Sequence, residues 1–538
     1  AGSMVRVAAV LSALLFVHQY LCLAAPILES GNNRPNLILI LTDDQDMELD
    51  SLQAMNRTRE LLIDAGASFK NSFVNTPICC PSRTELLTGR YYHNVGAPNG
   101  PCMHVESEKN VFDPNRSIFS LLQKAGYQTG VFGKVTNDQA DYFCGTKRAE
   151  GMDHINSPCD FNNYYSHQYF VKTADGNKSI EHLPLEPATY QTAQIGNRSL
   201  AWISEVANSE KPFFAYLGPH APHFPATPAP WDANDFSHLQ APRNLAYNAS
   251  SLDKHPMVAQ NPPLTDEAAM FIDQHFRDRL RALVSVDDLV AALVQLLQDK
   301  GVLDNTYIFF TSDHGYHLGQ WRIPTSKEQI YETDIRVPLL VRGPGIAPGS
   351  TPTPVVGNVD IAATLLDLAD SEPPLGMNGH SFKRFLVTDK TKGDTSQKDQ
   401  PWRDSFLVEY KSIGNYSADH SDIWWPGPGW PGHSQAGPKS PINATECIEG
   451  TGNCWLIDSA LSNSFRGLRV LNDTTNLMYA EFDATWSFND TTISFHELFD
   501  LTADPFQLKN VYDTTPSYIQ DDLHRQLQAY FACEDTCP

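Results

Sequence analysis

Four times along this chain a short, unbroken apolar run stops at a cluster of polar or charged residues. Asn36-Leu37-Ile38-Leu39-Ile40-Leu41 runs into Thr42-Asp43-Asp44, and Thr129-Gly130-Val131-Phe132 into Gly133-Lys134. Phe213-Phe214-Ala215-Tyr216-Leu217 reaches Gly218-Pro219-His220-Ala221-Pro222-His223, and Tyr307-Ile308-Phe309-Phe310 reaches Thr311-Ser312-Asp313-His314-Gly315. Runs of this length without polar alternation predict strands buried on both faces, the habit of a mainly parallel sheet covered by helices. A helical pattern lies among them: Leu283, Val286, Val290, Leu293, Val294 and Leu297 recur at three- and four-residue steps between Arg279 and Lys300, with Gly301 as the stop. Alternating strands and helices predict a layered α/β domain whose ligands gather at the carboxyl ends of the strands. Those ends carry acids, a lysine and histidines here, so they are expected to converge on one site.

The pattern changes after residue 375. Glu372-Pro373-Pro374-Leu375-Gly376 and the polar stretch Thr388 to Gln400 read as loop or linker. They divide a large domain over residues 34–387 from a smaller one over 401–538, where short alternating segments predict an antiparallel sheet with a covering helix. Trp424-Trp425-Pro426-Gly427-Pro428-Gly429-Trp430-Pro431-Gly432 is compositionally odd; it suits either a sugar-stacking surface or a self-packed loop. The chain's 538 residues, 41% of them apolar, suffice for both cores. A formal charge of −24 argues against a nonspecific nucleic-acid or acidic-lipid binder, because both draw affinity from clustered basic charge. It leaves room for a small anionic substrate in a locally basic cleft.

At the start, Arg6 precedes an apolar stretch from Val7 to Leu21 that ends in Cys22-Leu23-Ala24-Ala25-Pro26. A basic residue, a short apolar core and small residues at the exit predict a secretory leader over residues 4–25. His18 and Gln19 interrupt the run, which falls short of the about 20 apolar residues a spanning helix needs. The mature chain is expected to have no membrane span and to work in the secretory pathway, secreted or in a lysosome-like compartment. Nine Asn-X-Ser/Thr sites, at Asn56, Asn115, Asn177, Asn197, Asn248, Asn415, Asn443, Asn472 and Asn489, suit a glycoprotein. Of ten cysteines, nine remain after Cys22, an odd count in an oxidising compartment. Cys447 with Cys454, Cys533 with Cys537 and Cys144 with Cys159 are spaced to close small loops, although spacing does not fix connectivity.

The segment Cys79-Cys80-Pro81-Ser82-Arg83-Thr84-Glu85-Leu86-Leu87-Thr88-Gly89-Arg90 carries the chemistry. A vicinal cysteine pair before a helix is compatible with a structural disulfide. Pro81 suits a first helical position, however, and would put Cys79 just before a helix amino end, where backbone N–H groups and the dipole favour an anion. The segment closely resembles the signature of type I, formylglycine-dependent sulfatases, Cys-X-Pro-Ser-Arg followed by Leu-Thr-Gly-Arg. That resemblance implies an alkaline-phosphatase-like fold, a large mixed sheet between helices with a smaller C-terminal α+β domain. It also implies that Cys79 is oxidised to formylglycine by the formylglycine-generating enzyme during secretion, which leaves eight thiols to pair.

By the same resemblance Asp43, Asp44, Asp313 and His314, with the modified Cys79, match the ligands of one divalent cation, usually Ca2+. Hard oxygen donors fit that ion, and two adjacent carboxylates at a buried strand end would otherwise repel. Arg83, Lys134, His223 and Lys327 match the groups around the sulfate and the aldehyde hydrate, with His220 in the same His-X-Pro-His element. Many members read Gly-Lys-Trp-His after the second strand, but this chain reads Gly133-Lys134-Val135-Thr136-Asn137. The histidine that would assist the formylglycine hydroxyl is missing; Thr136 is no general base near pH 6, and Asn137 is expected to hydrogen-bond instead.

Within the family, Ser285-Val286-Asp287-Asp288 and Leu498-Phe499-Asp500-Leu501-Thr502-Ala503-Asp504-Pro505 look like the N-acetylglucosamine-6-sulfatase branch, whereas the region from Asn415 to Cys454 departs from it. The implied reaction is hydrolysis of a carbohydrate sulfate ester, best a 6-sulfate of N-acetylglucosamine in glycosaminoglycans, with an aryl sulfate or another polysaccharide sulfate as alternatives. One hydroxyl of the hydrated aldehyde would attack sulfur while the metal and Arg83 hold it reactive. Lys134, His223 and Lys327 would bind sulfate oxygens and neutralise the leaving alcohol, and the second hydroxyl would expel sulfate, a covalent route that splits one hard step into two. A phosphatase or phosphodiesterase of related fold would want a Ser or Thr nucleophile and a second metal site, and a non-catalytic glycan-binding relative would have lost the nucleophile.

Overall fold

Strand β1, Asn36–Thr42, shows why an unbroken apolar run makes a central strand: Leu37, Leu39 and Leu41 enter one core while Ile38 and Ile40 enter another on the opposite face. The computed structural model describes residues 34–96, 102, 113–160, 163–259, 261–387, 401–412, 445–447, 454–456, 461–489, 491–534 and 537–538. The expected leader (4–25), the polar stretch 388–400 and the Trp-Pro-Gly stretch 424–432 lie outside the described residues.

The large sheet adds β2 (Ala67–Ser68), β3 (Gln128–Gly133), β4 (His154–Pro158), β5 (Gln168–Lys172), β6 (Lys178–His182), β7 (Phe213–Gly218), β8 (Thr306–Ser312) and β9 (Leu339–Arg342). Its order is β2-β9-β8-β1-β7-β3-β4-β5-β6. The five central strands, β8-β1-β7-β3-β4, are parallel, and the flanking pairs are antiparallel. This is the mixed, mainly parallel sheet that the run-and-stop pattern predicts. Helices α1 (Cys79–Thr88) and α4 (Asn358–Leu368) supply Leu86, Leu87, Leu365 and Leu366 to one face. Helices α2 (Gln191–Val206) and α3 (Asp266–Asp299) supply Trp202, Ile203, Leu280 and Leu283 to the other.

Two helix boundaries differ from the sequence expectation. α3 begins thirteen residues before Arg279, at Asp266, with the Thr265 side chain capping the Ala268 N–H; a polar first turn with Asp266 and Glu267 at its positive end needs no apolar repeat. α1 begins at Cys79 rather than at Pro81. Proline is tolerated anywhere in the first turn, where no intrahelical partner awaits its missing N–H, so Pro81 does not mark the start.

The C-terminal part forms a four-stranded antiparallel sheet, β10 (Ser405–Tyr410), β11 (Phe465–Leu471), β12 (Asn476–Phe482) and β13 (Phe495–Asp500), covered by α5, Ser517–Phe531, as expected. Its core is continuous with Phe73, Val74, Tyr331 and Ile335 of the first part, and residues 35–538 form one compact unit. Disulfides join Cys144 to Cys159 and Cys533 to Cys537, as their spacing suggested, and Cys80 to Cys102. Cys447 stands opposite Cys454 in a two-stranded ladder. Cys79 is the free cysteine among the described residues.

Candidate active site

β8, β1, β7 and β3 are consecutive and parallel, so their carboxyl ends lie side by side along one sheet edge. Thr42 pairs with Ser312 and Gly133 with Gly218, which places Asp43, Asp44, Asp313, His314, Lys134 and the His220 segment one residue or a short turn beyond the last rung. Lys134 enters because Gly133 (φ 93°) and Gly218 pass in close contact: a Cβ on Gly133 would fall on the Gly218 carbonyl, and one on Gly218 on the Lys134 carbonyl. The Lys134 N–H donates to Gly218 O at 2.7 Å.

α1 delivers the thiol to the same edge. The Cys79 Sγ lies 3.4 Å from Asp43 Oδ1 and 3.2 Å from His314 Nε2, all three buried. Ser82 donates to the Asp313 carbonyl, and Gly89 ends the helix at φ 66°. Asp43 receives Lys134 Nζ at 2.6 Å, with Arg83 Nη2 at 3.8 Å and His220 Nδ1 at 3.3 Å, all on Oδ2. Neither His220 ring nitrogen makes an aligned hydrogen bond. Asp44, in left-handed backbone at φ 64°, accepts from Lys327 Nζ at 2.8 and 2.9 Å. Arg83 is fully engaged: Nε donates to Asp313 Oδ2 at 2.7 Å, Nη1 to Lys134 O and Tyr216 Oη, and Nη2 to Thr42 O. The other oxygen of Asp313 accepts the Asp44 and His314 N–H groups. The His223 ring lies 4.5 Å from that of His220, with Nδ1 2.6 Å from Phe224 O.

Burial alone would keep these carboxyls protonated, but the cations outweigh it. Lys134, His223 and Arg83 hold Asp43 well below the usual carboxylate range, and His223, Lys327 and His314 do the same for Asp44. Burial, reinforced by Asp43, pushes the Cys79 thiol well above its ordinary value. Burial also lowers His220 and, more strongly, His223, against the pull of Asp43 and Asp44.

Asp43, Asp44, Cys79 and His314 offer ligand atoms that all lie within 4.8 Å of one another. Two carboxylates, one imidazole and a Cys79 sulfur standing in for a side-chain oxygen make a donor set that suits a divalent cation. Asp313, the fifth expected ligand, stands beside them, 3.6 Å from His314 Nε2. Thr136 and Asn137 are apart from this set: Thr136 donates to Asp138 Oδ1, and Asn137 Oδ1 is buried without a hydrogen-bond partner.

Three participants escape the motif reading. Arg279 Nη2 donates at 2.7 Å to both the Asp44 carbonyl and Asp46 Oδ1, so α3 braces the acidic loop. The Tyr216 hydroxyl donates to Lys134 O at 2.7 Å and supports Arg83. Glu85, buried in α1, takes the Thr76 N–H and hydroxyl and an Asn358 amide hydrogen. A signal existed for Arg279: it falls on the core-facing stripe of its helix between Phe276 and Leu283.

Residues 35–371 match the family model described as Sulfatase. N-acetylglucosamine-6-sulfatase of Capra hircus is 35% identical over 96% of this chain and 87% of its own length, and that of Homo sapiens is 34% identical over 96% and 88%. Among solved structures, BT4656, in complex with its substrate D-glucosamine-2-N,6-O-disulfate, superposes with a TM-score of 0.67 at 22% identity, covering 92% of this chain and 97% of its own. Members of this family generally work with a formylglycine and a divalent metal, and Asp43, Asp44, Cys79 and His314 form a group that could hold such an ion. With the fold, the signature and near full-length relatives in agreement, the chain belongs to the sulfatase family and is a sulfuric ester hydrolase.

Proposed function

We propose that the protein hydrolyses the 6-sulfate of N-acetylglucosamine in glycosaminoglycan-type carbohydrates, with Cys79 as formylglycine and Ca2+ as the resident ion. The observation that carries this reading is the position of Cys79, buried at a helix amino end between the Asp43 and His314 donors. The activity named for the goat and human relatives and the substrate of BT4656 support the same chemical class. A file of rings also leads outward from the site: Tyr164 lies 5.1 Å from His220, Tyr190 stacks on Tyr164 at 5.8 Å, and Trp231, 54% exposed, meets Tyr190 at 5.9 Å. Tyr164 and Tyr190 are buried, so the exposed Trp231 ring at the outer end is the one that suits the apolar face of a sugar.

A formylglycine at position 79 would supply the attacking oxygen, and a divalent ion, which Asp43, Asp44, Asp313 and His314 would hold, would supply positive charge to polarise the ester. The protein's own groups do the rest. Arg83, tied down at every nitrogen, presents fixed charge beneath the nucleophile position. Lys134 and Lys327 offset Asp43 and Asp44 and share their N–H groups with the sulfate oxygens, where charges 4 Å apart attract by roughly 4 kcal/mol at an effective dielectric of 20. Lys327 and His223 retain slight exposure, which suits them to meet the departing alcohol at the mouth of the site. His220, with Nδ1 3.3 Å from Asp43 Oδ2, would exchange a proton where the motif histidine is missing, in place of Thr136 or Asn137.

The leader pattern supports a secreted or lysosomal location, and among the described residues no helix is long and apolar enough to cross a membrane. Seven of the nine glycosylation motifs are described, and six of these have exposed asparagines, with Asn248 half-buried.

The test pairs mass spectrometry of the Cys79 peptide from a secretory host with sulfate release from defined sulfated saccharides and aryl sulfates. An aldehyde mass and preferential release from N-acetylglucosamine 6-sulfate are expected. An intact thiol in active enzyme would overturn the nucleophile, and preferential aryl sulfate hydrolysis would overturn the substrate.

A further inference from the structure

Lys254 is 1% exposed and its Nζ has no hydrogen-bond partner, a costly state for an ammonium group. Three ring faces enclose it instead, Tyr331 at 3.7 Å, Phe499 at 4.1 Å and Trp321 at 4.7 Å from the ring centroids. A desolvated cation is attracted by each ring quadrupole, so the enclosure is a binding arrangement and not a packing accident. Burial pulls the ammonium down to about 7, with Glu497 pulling the other way, which leaves it charged at acidic pH.

The origin of the rings gives the cage its meaning. Trp321 and Tyr331 stand at the two ends of the segment that carries Lys327, and their rings meet at 4.2 Å. Phe499 belongs to β13. Other contacts tie the same two ends to the C-terminal part: Trp321 Nε1 donates to Phe506 O at 3.2 Å, Tyr331 Oη to Glu497 Oε1 at 3.2 Å, and the Glu332 N–H to Gln507 Oε1 at 2.9 Å. Between the ends, Ser326 (φ 110°) and Glu328 (φ 76°) flank Lys327 in left-handed backbone that non-glycine residues adopt only when held. Glu328 is held, by the Tyr410 hydroxyl at 2.6 Å and Asn463 Nδ2 at 2.8 Å.

We propose that Lys254 is a positioning residue for catalysis: its caged ammonium closes the loop 321–331 against the C-terminal sheet and thereby aims Lys327 at the ester. The inference rests on the role given above to Lys327. It gives the small sheet a part in positioning Lys327.

A displaced Lys327 matters most when the departing alcohol carries much charge in the transition state. The experiment therefore compares two substrates of the intact enzyme, 4-nitrophenyl sulfate with a stable leaving group and N-acetylglucosamine 6-sulfate with a poor one. Lys254→Met should lower kcat on the sugar sulfate about tenfold or more, and on the aryl sulfate by less than about threefold. Lys254→Arg, which restores a cation to the cage, should recover most of the loss. Phe499→Leu, which removes one wall and leaves Lys254 in place, should show a weaker version of the same split and serves if Lys254→Met does not fold. Equal losses on both substrates, no loss, or failure of Lys254→Arg to rescue would each overturn the proposal. Lys327→Ala is the control: if it shows no preference between the substrates, the role of Lys327 itself fails, and an unsplit Lys254 result beside a split Lys327 result sinks only the present inference.

Discussion

A single guanidinium nitrogen of Arg279 holds two acceptors of the loop that presents Asp44, and nothing in the signature motifs points to it. Asp46 is 1% exposed and also caps the Leu49 N–H, so removing the guanidinium leaves a buried carboxylate without its ion pair. Breaking one half of a buried pair costs about 3–5 kcal/mol. Arg279→Ala is expected to lose stability of that order in chemical denaturation. Because the same guanidinium also holds the Asp44 carbonyl, divalent-cation affinity measured by calorimetry should fall as well. Unchanged affinity would show that Asp44 is positioned by Lys327 and Asp313 without help from α3. Motif residues were legible in the sequence because each ends an apolar run or sits in the signature. Arg279 showed only as a charge on the apolar stripe of its helix and Lys254 not at all, since their partners are a backbone carbonyl, an acid and three rings that only the fold assembles.

At the scale of one element, α1 contains its own titrating group. Glu85 is buried, and burial pushes its carboxyl up to about 8, against the opposing hydrogen bonds of Thr76 and Asn358. In the folded chain it keeps a proton that the unfolded chain, near the ordinary glutamate value of 4.5, has already released. Its contribution to stability is thus fully present below about pH 4.5 and is lost as pH rises toward about 8. Glu85→Gln keeps the shape: an amide oxygen can accept from the Thr76 N–H and from Asn358, while the NH2 donates to the Thr76 hydroxyl. The wild-type melting temperature should therefore drop between pH 5 and pH 8 by more than that of the glutamine variant, and parallel profiles would show that Glu85 is ionised throughout. Elements whose signal is a run of apolar residues, such as β1 and β8, were readable. The start of α3 and the first residue of α1 were hidden, because a capped polar turn and a proline within the first turn carry no periodicity.

For the molecule as a whole, the contrast is between a formal charge of −24 and a pocket whose three cations face three carboxylates. A change of composition near residue 388 was visible in the sequence, but residues 35–538 form one compact unit, and the core that runs from Phe73 through Tyr331 to Phe499 was not visible, because its members are scattered along the sequence. Within the pocket those charges balance one another, and an approaching polysulfated chain first meets the diffuse negative field at distances where salt screens it. The Debye length is about 10 Å at 0.1 M salt, less than the span over which such a field would slow encounter. At pH 7, then, raising sodium chloride from about 10 mM to about 100 mM should increase kcat/KM for a polysulfated oligosaccharide and leave that for a monosulfated monosaccharide nearly unchanged. At pH 5, near the sequence isoelectric point of 5.1, the gain should vanish because the net field is gone. A steady fall of kcat/KM with salt at pH 7 would mean that basic charge around the pocket, and not the global acidity, governs how these substrates arrive.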